Sequence, residues 1–362
     1  MRNVCLAFAM VAAIGLAQEG PYKVQKVAKV GGEGGFDYVT ADAAGRRLYV
    51  ARSGNPGRVN VFNLDTLEAV GTVPNAMRTH GATVSPKSGH GFVSSNPVIM
   101  FDSKTLATIK TIEVKGNPDG YLYDAFNDRV YILSHSKPHA TAIDASDGSV
   151  VGTIDDLGGA PEQAASDGKG TIYVDIEDAH SIAVVDAKTM TVKTHYDLAG
   201  KGDGCAGLAL DAKNRILFAA CRNPQNMVIL SATDGKILDS LPLAGGSDGA
   251  AFNPNTMEAF SSHGNGTLTV IKENSPTSFA VEQTVKTMTG AKTLTLDSET
   301  DRILLIAAEY GPPPAPAANV QPWSERVPVP AGRGEGRGEG RGGRGGRAPM
   351  LPDSFSIVVV GK

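Results

Sequence analysis

Short apolar runs recur along this chain with a fixed rhythm. A polar residue closes one such run at Asp42, Ser85, Asp124, Ser166, Asp211, Asn253 and Asp297. These anchors lie about 42 residues apart, and self-similarity on that scale marks a repeat architecture. Just beyond each anchor comes a second apolar run: Leu48-Tyr49-Val50, Gly91-Phe92-Val93, Val130-Tyr131-Ile132, Ile172-Tyr173-Val174, Leu217-Phe218-Ala219, Ala259-Phe260-Ser261 and Leu304-Leu305-Ile306. Third runs follow at 59–62, 98–101, 140–143, 182–185, 227–230, 268–271 and 357–360. Fourth, more polar runs follow six of these, and turn-forming clusters such as Asp102-Ser103-Lys104-Thr105 and Asp147-Gly148 separate the runs. Four short strands per repeat and seven repeats predict an all-β, seven-bladed propeller.

The seventh repeat has no fourth run before the chain ends at Lys362. Residues 24–30, Val-Gln-Lys-Val-Ala-Lys-Val, precede the first repeat and have strand character. Pairing this segment with 356–360 supplies the missing strand and removes an open edge. A single closed ring over residues 18–362 is the expected domain.

The pattern breaks twice. Residues 1–17 carry Arg2, an apolar run of signal-peptide length and a small-x-small ending at Gly15-Leu16-Ala17, so they read as an export leader too short to span a bilayer. Residues 312–353 open on Pro312-Pro313-Pro314 and contain GRGEGRGEGRGGRGGR, which cannot build a core and predicts a disordered insertion in blade seven. Its arginines outnumber its glutamates, so it suits a solvated spacer, a polyanion contact or a cover for an acidic surface; nucleic acid is an unexpected partner for an exported protein.

Export gives the cysteines meaning. Without the leader only Cys205 and Cys221 remain, at the open ends of two neighbouring strands, so they form either a disulfide or two small buried hydrophobes. The expected location is the periplasm or the medium, and the expected state is a monomer without a membrane span.

The runs Leu48-Tyr49-Val50-Ala51, Val130-Tyr131-Ile132 and Ile172-Tyr173-Val174-Asp175, with the turn entries Ile143-Asp144 and Val185-Asp186, resemble the YVTN-repeat (YncE-like) propeller family across nearly all of the chain after the leader. No repeat carries Tyr-Val-Thr-Asn in full. The resemblance implies a seven-bladed propeller and leaves activity open.

Chemistry is expected on the face where loops enter the innermost strands, around the central channel. Five residues before the anchors stand Asp37, His80, Asp119, Pro161, Ala206, Asp248 and Lys292, with Glu162 and Asp203 close by. This acidic mouth fits a divalent cation such as calcium, with Asp37, Asp119 and Asp248 as the foremost ligands, or carboxylates that only cap their own turns. His135, His139 and His263 belong to loops on the same face, but no closely spaced metal motif joins them. Gly31-Gly32-Glu33-Gly34-Gly35 precedes a strand rather than a helix and so lacks a phosphate-loop context. No G-x-S-x-G elbow occurs, and no residue is assigned as catalytic. The leading expectation is a non-catalytic binding or scaffolding propeller of the cell envelope, holding a small molecule or an envelope protein. A metal-dependent, lactonase-like hydrolase using the mouth carboxylates is the alternative.

Overall fold

The computed structural model describes residues 19–312 and 348–362. The leader and most of the 312–353 insertion therefore lie outside the described residues. Seven antiparallel sheets of four strands each make the propeller. Six are continuous in sequence, over residues 35–73, 81–112, 118–154, 161–197, 207–242 and 247–286. The seventh combines Leu294–Asp297, Arg302–Ala307 and Ser356–Gly361 with the N-terminal strand Lys23–Lys29 on its outer edge. That last pairing runs from Lys23 opposite Gly361 to Lys29 opposite Ser356, so the first and last strands close the ring.

Among the described residues there is no central core. The buried apolar residues form seven clusters, each lying between two neighbouring blades. Second strands show why their runs are continuously apolar: both faces of each sheet are covered. In Arg47–Ser53, Leu48 and Val50 pack toward blade seven, while Tyr49 packs toward blade two. Outer strands such as Thr108–Ile112 face solvent along most of their length, which explains their polar composition. Asp-x-x-Thr segments are turns in which the aspartate binds the chain ahead of it. Asp102 Oδ1 accepts from the Lys104 and Thr105 N–H groups at 3.0 and 2.7 Å.

A buried polar group locks the closure. The Tyr22 hydroxyl donates to Glu258 of blade six, and Lys362 Nζ donates to the other oxygen of that carboxylate at 2.8 Å. Both chain-terminal segments thus meet one fully buried residue of an adjacent blade.

Cys205 and Cys221 are joined in a disulfide at the mouth end of blade five. The insertion leaves and re-enters blade seven through an ordered stem. The Gly311 N–H donates to Pro349 O at 2.9 Å, and the Leu351 N–H donates to Glu309 O at 2.8 Å. Residues 348–353, read from sequence as part of the disordered segment, belong to this stem. No helix among the described residues is long and apolar enough to cross a membrane.

Candidate functional site: a ring of alternating charge at the channel mouth

Ten residues line a cavity of about 540 Å³ at the mouth: Asp37, Tyr38, His80, Asp119, His135, Glu162, Glu177, Arg222, Asp248 and Lys292. Every blade contributes at least one. Two positions in the repeat supply them. Asp37, His80, Asp119, Asp248 and Lys292 stand five residues before their anchors, with Tyr38 and Glu162 one residue later. His135, Glu177 and Arg222 each stand eleven residues past the anchor, just after the second strands of blades three, four and five. Blades four and five offer only Pro161 and Ala206 at the first position, and the side chains at the second position fill the space left there.

The side chains meet in sequence. His80 Nδ1 lies 2.8 Å from Asp37 Oδ2 and 3.1 Å from Asp119 Oδ1. His135 Nε2 lies 3.1 Å from Asp119 Oδ2 and 3.4 Å from Glu162 Oε1. Glu162 neighbours Glu177, which pairs with Arg222; Arg222 also pairs with Asp248, and Lys292 takes the second oxygen of Asp248. Lys292 in turn feels the charge of Asp37 across the remaining gap. Gly120 makes part of this approach possible. A Cβ there would stand 2.5 Å from the Glu162 carbonyl oxygen, so any side chain would push blade three away from blade four.

Protonation follows from the neighbours. Burial works against charge on His80, but hydrogen bonds to Asp119 and Asp37 outweigh it and hold the imidazolium up to about 10. Glu162 chiefly holds His135 up to about 9, with help from Asp119 and against burial. Burial would raise Asp119, yet the His80 cation keeps it below the usual carboxylate range. Glu177 moves the other way, pushed up by burial and by the Glu162 charge. Tyr38, whose hydroxyl lies 3.4 Å from Glu162 Oε2, is pushed well above the ordinary phenol value by burial and the surrounding carboxylates. Five carboxylates face four basic side chains. The mouth is thus close to neutral rather than acidic, because His80, His135, Arg222 and Lys292 offset the carboxylates.

Below the ring the channel narrows to a second cavity of about 290 Å³. Tyr38 and Tyr121 meet edge to face there, with centroids 5.6 Å apart. Gln163 of blade four ties blades five and six together, accepting from the Leu208 N–H at 3.0 Å and the Ala250 N–H at 3.2 Å. The upper cavity is therefore a polar cup above a more apolar one.

Six of the seven residues singled out from sequence line the cup: Asp37, His80, Asp119, Glu162, Asp248 and Lys292. Their carboxylates face other side chains of the ring, most of them on neighbouring blades, rather than capping their own turns. Asp248, expected with Asp37 and Asp119 as a metal ligand, instead has both oxygens occupied by Arg222 and Lys292. His263 does not reach the cup. It is fully buried in blade six, its Nε2 lies 2.9 Å from Thr269 Oγ1, and burial lowers it to about 4, so it is a neutral core residue. His139 is also structural, accepting the Leu157 N–H at 3.0 Å. Asp203 pairs with His180 at 2.7 Å, and its carbonyl accepts the Arg222 and Asn223 N–H groups at 3.1 Å each. Sequence reasoning left Tyr38, Glu177 and Arg222 out of the site and placed His135 on this face without assigning it there; the shared spacing of His135, Glu177 and Arg222 from their anchors is the signal that identifies them.

Two of the groupings have the makings of cation sites: Asp37, His80 and Asp119, and Asp119, His135 and Glu162. In each, one nitrogen and two carboxylate oxygens lie within 4.8 Å of one another.

No protein-family model matches the chain, and no curated protein matches its sequence. Solved structures do: 1714 chains match, a breadth that speaks to the fold alone. One is a chain from the crystal structure of a mitotic checkpoint complex, similar with a TM-score of 0.68 at 11% identity over 84% of this chain and 95% of the other. What that similarity establishes is the propeller architecture described above.

Proposed function

We propose that the protein is an exported, non-catalytic binding propeller of the YVTN-repeat type, holding a small charged ligand in the cup. The observation that carries this reading is the cup itself: about 540 Å³ of open space lined by charged side chains from all seven blades. Structural ion pairs need no such volume. The apolar-Tyr-apolar second strands support the family reading, and the leader-like N-terminus together with the disulfide supports export. A near-neutral ring favours a ligand that brings charges of both signs, or a cation that displaces the imidazolium protons. Calcium, expected from the carboxylates, fits less well than a softer ion, because it takes oxygen donors and the triads each present an imidazole.

The test is a thermal-shift comparison with three probes: free amino acids as zwitterions, malonate as an anion, and divalent cations. At least one class should raise the melting temperature of wild type and lose that effect in Asp119→Asn or Arg222→Gln. No shift with any class would sink the reading.

The hydrolase alternative has one specific support. Glu177, pushed toward its protonated form, stands beside the Asp119, His135 and Glu162 triad as an acid next to a candidate cation site. Hydrolysis of a simple δ-lactone, followed by pH-stat with zinc or calcium present, decides it. A rate equal to that of buffer retires the enzyme reading.

A further inference from the structure

We propose that the histidine-bearing half of the cup is a two-metal centre for divalent transition ions of the zinc class, with Asp119 as the bridging ligand. The inference rests on the reading of the cup as a ligand site and assigns its chemistry.

Asp119 is the reason for two ions rather than one. Its Oδ1 faces His80 and its Oδ2 faces His135, each at 3.1 Å, so one carboxylate serves two separate nitrogen donors. Asp37 completes the first set and Glu162 the second. Donor spacing supports direct ligation. Around an ion with bonds of about 2.0–2.1 Å, neighbouring donors stand about 3.0 Å apart in octahedral and about 3.4 Å apart in tetrahedral geometry. The nitrogen-to-oxygen distances here run from 2.8 to 3.4 Å. A bridging carboxylate also suits two ions at the separation of about 3.5–4 Å found in two-metal sites.

Other histidine contacts in the molecule serve as an internal control. His180 has a single carboxylate partner, Asp203 at 2.7 Å, and so does His139, Asp156 at 3.5 Å. Among the described residues, groupings of three ligand-bearing side chains occur only in the cup. Charge favours cations as well. With both imidazoles neutral and the five carboxylates ionised, Arg222 and Lys292 leave the cup a net charge of about −3. Mixed nitrogen and oxygen donors select zinc, cobalt or manganese over calcium and magnesium, whose shells are built from oxygen. Each set supplies three donors, which leaves the remaining position of each ion to water or to a ligand entering the cup.

The experiment is equilibrium dialysis of chelator-stripped protein against buffered zinc, with metal content measured by elemental analysis. Wild type should hold two ions per chain, and His80→Gln and His135→Gln one each. Asp119→Asn should weaken both by about ten- to a hundredfold, the scale of a damaged metal shell. Cobalt substitution should give a visible spectrum that halves in each histidine variant. The substitutions are close in size to the native residues, and the wild-type stoichiometry decides the matter even if a variant fails to fold. Fewer than two ions in wild type, or two ions undiminished in Asp119→Asn, would overturn the proposal. A thermal shift with amino acids or malonate in a protein that binds no zinc would overturn the metal centre and leave the cup reading intact. No zinc and no shift would end both.

Discussion

Each innermost strand has two ends, and the two ends of the seven strands make rings that use similar residues for different purposes. At the mouth, Asp37, His80, Asp119, Asp248 and Lys292 belong to chains of ion pairs whose members remain between 13% and 44% exposed around an open cavity. Five residues on, the anchors and their neighbours form a belt that crosses every seam between blades. Ser85 donates to Asp128 at 2.7 Å, Ser166 to Asp124 at 2.5 Å, and Asn253 to Asp301 at 2.9 Å. Arg46 makes two hydrogen bonds to Asp297, at 2.8 and 2.9 Å, and Asn214 donates to Glu273 at 2.7 Å. Arg47 donates to Lys104 O at 2.8 Å, and Arg215 approaches Asp167 at 3.9 Å. Five of the seven belt anchors, Ser85, Asp124, Asp211, Asn253 and Asp297, are buried, and none of the ten cup residues is. The lesson is that charge alone does not mark a site. Open volume beside partly exposed charges does.

The strongest way to break this comparison is to damage the belt. Asp297 is almost fully buried, holds Arg46 of blade one across the closing seam, and accepts the Thr300 hydroxyl at 2.6 Å. Asp297→Ala should cost about 3 kcal/mol, because it removes two charge-assisted hydrogen bonds to Arg46, which keeps only Asp65, and the acceptor of the Thr300 hydroxyl. Chemical denaturation should show that loss with zinc and probe binding unchanged. A loss confined to binding would reverse the roles assigned to the two ends.

The disulfide comes next, and it belongs to both stories. Arg222 directly follows Cys221, so the bond fixes the loop that carries a mouth cation. Replacing both cysteines with serine should cost up to about 3 kcal/mol by the chain-entropy estimate for a loop of this length. It should also weaken any ligand that depends on Arg222. Melting with and without reductant, alongside anion binding, separates the two effects. Stability lost without any change in binding would mean that Arg222 is placed by Glu177 and Asp248 alone.

At the mouth the expected stability effect is small. His80→Gln and Asp119→Asn remove partly exposed pairs and should change stability by about 1 kcal/mol or less, while abolishing or weakening ligand binding. A multi-kilocalorie loss from either would show that the mouth is structural in the same sense as the belt.

How much of this was legible in the sequence follows the same division. The belt could be read because its anchors repeat at a near-constant spacing and the residues after them must fill two blade interfaces at once. The closing strand could be read because the seventh repeat lacked one. At the mouth, Asp37, His80 and Asp119 were found by counting back from the anchors. Arg222 was not, because a residue after a second strand projects from a loop whose direction only the fold determines. His263 misled for the matching reason: it stands ten residues past its anchor rather than eleven, and that places it within the strand Glu258–His263, buried between blades. Neutrality of the mouth was likewise hidden, since two of its four cations come from those loops.

The finest test uses pH, because the two ends should lose stability in different ranges. Burial and the nearby Asp211 push Glu273 of the belt up to about 7, against an ordinary value near 4.5. A carboxyl raised on folding favours the folded state fully below its unfolded value, and that advantage fades as pH rises through the folded one. The belt contribution should therefore decline between about pH 4.5 and 7. His80 and His135 are raised to about 10 and about 9 from 6.5, so their contribution is complete below pH 6.5 and declines from there until pH passes about 9 to 10. Melting temperatures of chelator-treated protein across pH 4–10 should carry both declines. Glu273→Gln, which cannot ionise, should flatten the lower range and leave the upper one, and His80→Gln should do the reverse. If either substitution flattens the other range, the protonation states assigned to that end are wrong, and the belt and the mouth are electrostatically one structure.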